Sequence, residues 1–489
     1  MPAVLITYEM SQEISQEKAG SNPMKMLITG GTVVNPSGAI ASEVLVEDEA
    51  IVALGAPGSS AAEAWAESSD RTIDASGLLV IPGGIDVHTH MEMPLGQTQS
   101  SDTFETGTRA AAIGGTTTII DFATQSKGHS LQTGFQAWLA KADGNCAIDY
   151  GFHMIVSDVN DESMKEMDVL VEEGVTSFKL FMAYPGVLYS DDAKILRSMQ
   201  QAANNGSIIM VHAENGIAID LLVAQALSRG ERDPRFHGET RPSLLEGEAT
   251  HRAIQLARVA DAPLYIVHLS AAEALEEVVR ARDMGQRVFA ETCPQYLFLS
   301  KAELERPVFE GAKYVCSPPL RDYRSQADLW KGLRTDDLSI VATDHCPFCF
   351  KEQKELGRGD FSKIPNGLPG VENRMDLIYE GVSRGELSLE RWVDVTSTTP
   401  ARMFGLFPKK GVIAPGSDAD IVLYDPRSTH IVSAKSHHMN VDYSVYEGME
   451  LHGAVSMVLS RGRVVVDGGK YVGHKGHGSF LRRGLSRYL

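Results

Sequence analysis

The sequence predicts a (β/α)8 TIM barrel with a small β-sandwich built from both chain termini. Three observations lead there. Through the middle of the chain, apolar extended runs alternate with helical patterns, and eight such runs over about 310 residues match that barrel at its usual size. The two ends share a style the middle lacks: β-branched stretches broken by Gly, Asp and Pro, as in "KMLITGGTVV", "KKGVIAPGSDADIVLYDP" and "VSMVLSRGRVVVDGG". Finally, polar residues able to bind metals recur at the C-terminal ends of the central runs, which a barrel gathers at one mouth. A doubly wound open sheet is the alternative, because periodicity does not reveal strand order.

The expected boundaries follow in chain order. Residues 1–25 hold the short stretch "AVLITY" and then polar "EMSQEISQEKAGSNP", with neither the basic start nor the long apolar core of a signal peptide. They are read as a disordered extension or an upstream start before Met24 or Met26. The first part of the sandwich is expected over 26–80, the barrel over 81–395, the second part of the sandwich over 396–465, and a C-terminal tail over 466–489. That tail, rich in Gly and Arg, and the segment "HHMNVDYSVYEGMELHG" (437–453) are candidate subunit contacts.

The eight runs are 85–90, 116–122, 148–156, 176–182, 207–212, 264–269, 287–292 and 340–344. Helical spacing joins Ile195, Met199, Ala202 and Ala203 in 191–205, and Leu275, Val278 and Val279 in 271–284. The second helix is expected to open on a Ser270-x-x-Glu273 capping box and to stop before Gly285.

Composition narrows the function classes. The chain has 489 residues, 43% hydrophobic and 22% charged, which is ordinary globular composition. A net charge of −19 argues against a nucleic-acid groove and against a polybasic membrane patch. No apolar run approaches the ~20 residues of a membrane span. Five scattered cysteines point to reduced thiols and a cytoplasmic location. The Cys346-x-x-Cys349 pair in "HCPFC" has no second pair at useful spacing, so it reads as a loop with reduced thiols, with His345 supporting a neighbouring ligand or packing locally.

The first run, "GGIDVHTH" (83–90), is the most informative. Strict alternation would put Asp86, His88 and His90 on one face and Ile85, Val87 and Thr89 on the other. Two imidazoles on one side of a strand can reach a common metal ion. Lys179 lies within the fourth run between Phe178 and Leu180-Phe181, His212 ends the fifth, His268 falls near the end of the sixth, and Asp344 ends the eighth. Alone, His212 or His268 fits a hydrogen-bonded core histidine, and Asp344 fits a helix cap. Together they form a constellation. An ammonium in an apolar strand costs several kcal/mol unless paired, and burial lowers its pKa. A neutral buried amine can add carbon dioxide to become a carbamate, an anion on a long stem. Four histidines and one aspartate exceed the four ligands of one tetrahedral zinc. They suit two divalent ions, most simply Zn2+, bridged by carboxylated Lys179 (N6-carboxylysine) and a hydroxide.

"GGIDVHTH", "GGTTTIIDF", "SFKLFMAYPG", "VHAENG", "VHLS", "SPPLR", "ATDHCPF" and "IPNGLPG" together resemble the D-hydantoinase/dihydropyrimidinase family of metal-dependent cyclic amidohydrolases. The likeness runs from about Met26 to the C-terminal "LRRG". It implies a binuclear zinc barrel beside a β-sandwich, commonly a homotetramer. It also implies ring-opening hydrolysis of 5,6-dihydropyrimidines and 5-monosubstituted hydantoins to N-carbamoyl amino acids. Carried over position by position, His88, His90 and Asp344 hold one metal, His212 and His268 the other, and carboxylated Lys179 bridges both. Tyr184 matches the family tyrosine that stabilises the oxyanion. Ser317 and Asn366 match residues that hold the ring amide, and Phe181 and Leu188 match positions lining the pocket for the exocyclic substituent. Pro185-Gly186 depart from the Lys-Asn that follows the tyrosine in many relatives, at a loop that shapes substrate preference.

In the mechanism this implies, hydroxide attacks the amide carbonyl, and a metal with the Tyr184 hydroxyl stabilises the oxyanion. Asp344 carries the proton to the leaving nitrogen. Three rival readings share these features. Dihydroorotase relatives usually place an Arg two residues after His-x-His, where this chain has Glu92, expected to repel a carboxylate substrate. An allantoinase-like cyclic ureide hydrolase is the alternative enzyme. A non-catalytic binding protein on the same scaffold would have lost ligands, and all six positions are present here.

Overall fold

A computed structural model describes residues 23–488. The extension expected over 1–25 lies outside the described residues up to residue 22, and Lys25 already opens a strand.

Eight parallel strands run consecutively round one sheet: β1 (Gly84–Thr89), β2 (Thr116–Thr124), β3 (Asp149–Ile155), β4 (Ser177–Phe181), β5 (Ile208–His212), β6 (Leu264–Ile266), β7 (Val288–Thr292) and β8 (Ile340–Val341). Each falls on an expected run. Between β8 and β1 the ring is closed just past the strand ends. Thr89 and His345 form a parallel bridge, His345 N–H donates to His88 C=O at 3.3 Å, and His90 N–H donates to His345 C=O at 2.9 Å. The fold is therefore the barrel and not an open sheet.

Alternate residues of the strands fill the barrel. Ile85, Val87, Ile120, Phe122, Ile155, Phe181, Ile208, Met210, Tyr265, Phe289 and Ile340 form one apolar cluster. Burying each such side chain contributes roughly 1.5–3 kcal/mol. Ala401, Met403, Phe404 and Leu406 belong to the same cluster. The segment just after 395, expected in the sandwich, thus packs with the barrel.

Two sheets make the sandwich. One orders Ala50–Gly55, Glu43–Glu47, Lys25–Thr29 and Arg71–Asp74. In the other, Leu79–Pro82 pairs in parallel with Thr32–Asn35 and antiparallel with Ile421–Ile431, so the two ends of the chain meet on one strand. This sheet also takes Lys470–Tyr471, past the expected boundary at 465. Met26, Ile28, Val44, Val80, Ile421 and Leu459 pack between the sheets. Leu79–Pro82 leads straight into β1 through Gly83, where a Cβ would meet Thr117 Oγ1 at 2.1 Å, so only glycine fits.

The C-terminal tail lies against the chain's own barrel. Phe480 bridges to Tyr150, Leu481 N–H donates to Tyr150 C=O at 2.7 Å, and the buried Arg483 donates to Phe152 C=O at 2.6 Å. In the 437–453 segment, Met439, Val441, Tyr443, Val445 and Tyr446 are buried in the main core.

Two helix expectations change in detail. In Asp192–Asn205, Ile195, Met199 and Ala202 are buried, whereas Ala203 is exposed and Ser198 is buried in its stead. Ala203 sits at the edge of the apolar stripe, where a helix turns out of its groove. Ala272–Asp283 has no Ser270 capping box: Ser270 Oγ donates to Glu246 Oε2 at 2.5 Å. Glu246 Oε1 accepts the Ser270 and Ala271 N–H groups at 2.8 and 3.3 Å, so a carboxylate from the preceding helix caps this one.

Candidate metal centre

The strand carrying His-x-His does not alternate as expected. Ile119 of β2 faces Asp86, yet Asp121 faces Thr89, so β1 holds one extra residue in a bulge. Ile85 and Val87 face the barrel interior, and so does His88, whose ring lies 4.6 Å from that of Phe122. Asp86 turns away instead, accepting Thr343 N–H at 3.1 Å and Thr343 Oγ1–H at 2.6 Å beside Arg374. The bulge re-aims the two histidines and removes Asp86 from their row.

Around His88 the predicted residues converge. Lys179 Nζ lies 3.0 Å from His88 Nε2. Asp344 Oδ1 lies 3.2 Å from Nε2 of both His88 and His90. His212 Nδ1 and His268 Nε2 are 3.0 Å apart, and the His88 and His268 ring centres are 5.3 Å apart. All six side chains are buried. Burial pulls the His88, His90 and His268 imidazoles below their ordinary range and Lys179 down to about 8. Burial works to raise the Asp344 carboxyl, but His88, His90 and Lys179 together hold it at about 2.

This donor set fits divalent metal. Ligating atoms of His88, His90 and Asp344 lie within 4.8 Å of one another, and His90 Nδ1 and His268 Nδ1 are buried without a hydrogen-bond partner. Neutral imidazoles and an ionised carboxylate turned on one another are the species that a cation requires.

Two of these residues, and a third beside them, have strained backbones. Tyr184, His268 and Asp344 have φ of 62°, 39° and 52°. Non-glycine residues rarely adopt that region, and each costs on the order of 1–3 kcal/mol. The strain aims the side chains inward just past the ends of their strands. Tyr184 C=O accepts the Val187, Leu188 and Tyr189 N–H groups at 3.1, 3.1 and 3.2 Å. The Pro185-Gly186 departure thus forms a tight turn, with Gly186 at φ 82°. Burial, with the Glu214 charge, pushes the Tyr184 hydroxyl up to about 12, so it stays protonated beside Ser317 and Asn366.

Above the cluster opens a cavity of about 610 Å³. His90, Lys179, His212, His268 and Asp344 line its floor, and Phe181, Tyr184, Leu188, Ser317 and Asn366 line its walls. His88 alone of the predicted residues does not reach the cavity. Sequence reasoning missed Met93, Leu95, Val187 and Ile364 on the apolar wall. It also missed Glu291, whose carboxyl meets His88 Nδ1 and accepts Tyr265 O–H at 2.9 Å and His268 N–H at 3.1 Å. A carboxylate inside the apolar run "RVFAET" was the available signal, of the same kind as Lys179. Glu92 faces elsewhere: its carboxylate accepts Phe104 N–H at 3.2 Å, at a helix N-terminus, and it does not line the cavity. Contrary to expectation, it is therefore not placed to repel a carboxylate substrate. His345 packs locally, with Nε2 3.0 Å from Asp102 and Nδ1 accepting Gly370 N–H at 3.1 Å.

The sequence profile of the Amidohydrolase family matches residues 79–294 and 310–465. A D-hydantoinase of Streptomyces coelicolor is 66% identical over 465 residues, covering 95% of this chain and 99% of its own length. The chain belongs to the amidohydrolase family. Its amidohydrolase fold superposes on the crystal structure of dihydropyrimidinase from Brevibacillus agri NCHU1002 with a TM-score of 0.92, at 50% identity over 95% of this chain and 99% of that one. An L-hydantoinase (dihydropyrimidinase) from Arthrobacter aurescens is more distant, with a TM-score of 0.84 at 30% identity over 93% of this chain and 99% of that one. Among these amidohydrolases the likeness spans barrel and sandwich alike.

Proposed function

We propose that the chain hydrolyses cyclic amides, opening 5-monosubstituted hydantoins and 5,6-dihydropyrimidines to N-carbamoyl amino acids. The observation that carries this reading is the convergence of four buried histidines, Lys179 and Asp344 beneath a cavity of about 610 Å³ walled by Tyr184, Ser317 and Asn366. The D-hydantoinase at 66% identity supports it.

His88, His90 and Asp344 would hold one divalent cation, most simply zinc, and His212 and His268 a second. Lys179, carboxylated, would reach both. Its amine gains the modification when the nitrogen lone pair bonds to the carbon of CO2 and one proton leaves to solvent. Burial lowers the Lys179 pKa to about 8, which leaves a useful neutral fraction near pH 7. When bound, the cations polarise the scissile carbonyl and lower the pKa of water.

The chain's own groups do the remaining work. Asp344 accepts a proton from the attacking water and returns it to the ring nitrogen as the C–N bond breaks, since an amide nitrogen does not leave as an anion. The Tyr184 hydroxyl donates to the carbonyl oxygen as charge builds there. Ser317 and Asn366 hold the ring amide, largely through backbone groups. Phe181 and Leu188 flank the exocyclic substituent. With Met93, Leu95 and Val187 they make that side apolar, which favours a hydrocarbon substituent over the ureido group of allantoin.

The deciding experiment is a spectrophotometric ring-opening assay against dihydrouracil, 5-substituted hydantoins, allantoin and dihydroorotate, with elemental analysis of the same sample. The reading expects turnover of the first two classes with two metals per chain. No turnover of either by metal-loaded protein refutes it. Assembly as a homotetramer belongs to the same proposal and is checked by light scattering. Among the described residues no helix is long and apolar enough to cross a membrane. The five cysteines are free thiols, which supports a reducing, cytoplasmic setting.

A further inference from the structure

Outside the metal cluster, one buried cation has a geometry that the chemistry above does not use. Lys354 opens a short 3-10 helix, Lys354–Gly357, and its side chain is fully buried. Among the described residues no carboxylate pairs with it. Its ammonium instead donates to three backbone carbonyls: Val315 at 2.9 Å, Pro365 at 2.7 Å and Gly367 at 2.8 Å. An ammonium has three donors, and each is satisfied. The acceptors lie on two separate segments, one leading to Ser317 and the other flanking Asn366 on both sides. A direct bond from Gly367 N–H to Val315 C=O at 3.1 Å joins the same two segments. From these segments Ser317, Pro365, Asn366 and Gly367 line the cavity.

Burying a charge without a counter-charge is expensive, and three carbonyl dipoles offset that cost only while both segments stay in place. The dependence is mutual. Without the ammonium, the Pro365 and Gly367 carbonyls would lose this donor, and the two segments would be joined only by the Gly367 N–H to Val315 C=O bond.

We propose that Lys354 is a positioning residue for ring recognition: it locks the segment before Ser317 to the segment around Asn366, and so sets the affinity of the site for the cyclic amide without entering the chemistry. This rests on the reading of Ser317 and Asn366 as the holders of the ring amide.

The test compares the parent, Lys354→Met and Lys354→Gln as metal-loaded enzymes. Metal per chain is measured by elemental analysis, kcat and KM with hydantoin and dihydrouracil, and binding of N-carbamoylglycine, the product from hydantoin, by calorimetry. Lys354→Met keeps most of the length and loses every donor. It should retain both metals and keep kcat within about threefold, while KM rises about tenfold and product affinity falls in parallel. Lys354→Gln, with two donors, should fall between. Should the Met variant not accumulate folded, the Gln variant decides the same comparison. Unchanged KM and product affinity in folded, metal-loaded variants overturn the proposal, as does a joint loss of metal and kcat at constant KM. Failure of the broader reading would appear earlier, as a parent enzyme that turns over neither ring.

Discussion

Lys179 Nζ lies 3.0 Å from His88 Nε2 with both side chains buried, so a positive charge on one disfavours a positive charge on the other. Burial acts on both, and the Lys179 charge pulls His88 further toward its neutral form. A neutral amine facing a neutral imidazole is set up for carboxylation and for metal. Lys179→Ala should therefore abolish metal binding and turnover together, as measured by elemental analysis and the ring-opening assay. An active variant retaining both metals would refute the bridging role.

Glu291 supports that pair from behind. It holds His88 Nδ1, and it also holds the backbone N–H of His268 at 3.1 Å, so one carboxyl orients a ligand from each group. Glu291→Gln should lower metal affinity by roughly 10–100-fold, the usual loss when such a partner is altered. Competition with a chelator measures this. Unaltered affinity would mean that the barrel packing alone holds the histidines.

Tyr184 acts on the substrate side and contributes no metal ligand. Tyr184→Phe should retain both metals and leave KM nearly unchanged, while kcat falls by roughly 10²–10³-fold, as for loss of one oxyanion donor. Steady-state kinetics with elemental analysis check it. A rise in KM alone would instead assign the hydroxyl to binding.

Asp121 governs a pH effect on stability. Burial pushes its carboxyl from the ordinary 3.8 to about 7, against the donors Thr89 Oγ1–H at 2.7 Å and Met91 N–H at 2.8 Å. Between those two values the unfolded chain has lost this proton and the folded chain retains it. Stability attributable to Asp121 therefore falls as pH rises from 4 to 7, by up to ~4 kcal/mol. Asp121→Asn should flatten this decline, read as the denaturant midpoint at pH 4, 5.5 and 7. Parallel curves for parent and variant would show that the carboxyl does not titrate in that window.

By itself the sequence determined the barrel, all eight of its strands and the six side chains that meet at its mouth. These depend on local signals. Alternation and helical spacing are short-range, and a histidine, lysine or aspartate inside an apolar run is conspicuous because burying it unpaired is costly. Tertiary structure alone decided which way those side chains point. The bulge in β1 arises from pairing with β2, and it turned Asp86 out of the row in which strict alternation had put it. Ser270 lost its capping role to Glu246, and Glu92 was drawn to a helix N-terminus, because in each case a partner distant in sequence proved nearer in space. Glu291 and Lys354 were visible as letters, but their partners lie on other segments. A buried charge takes its meaning from the groups that satisfy it, and those are assembled only when the chain folds.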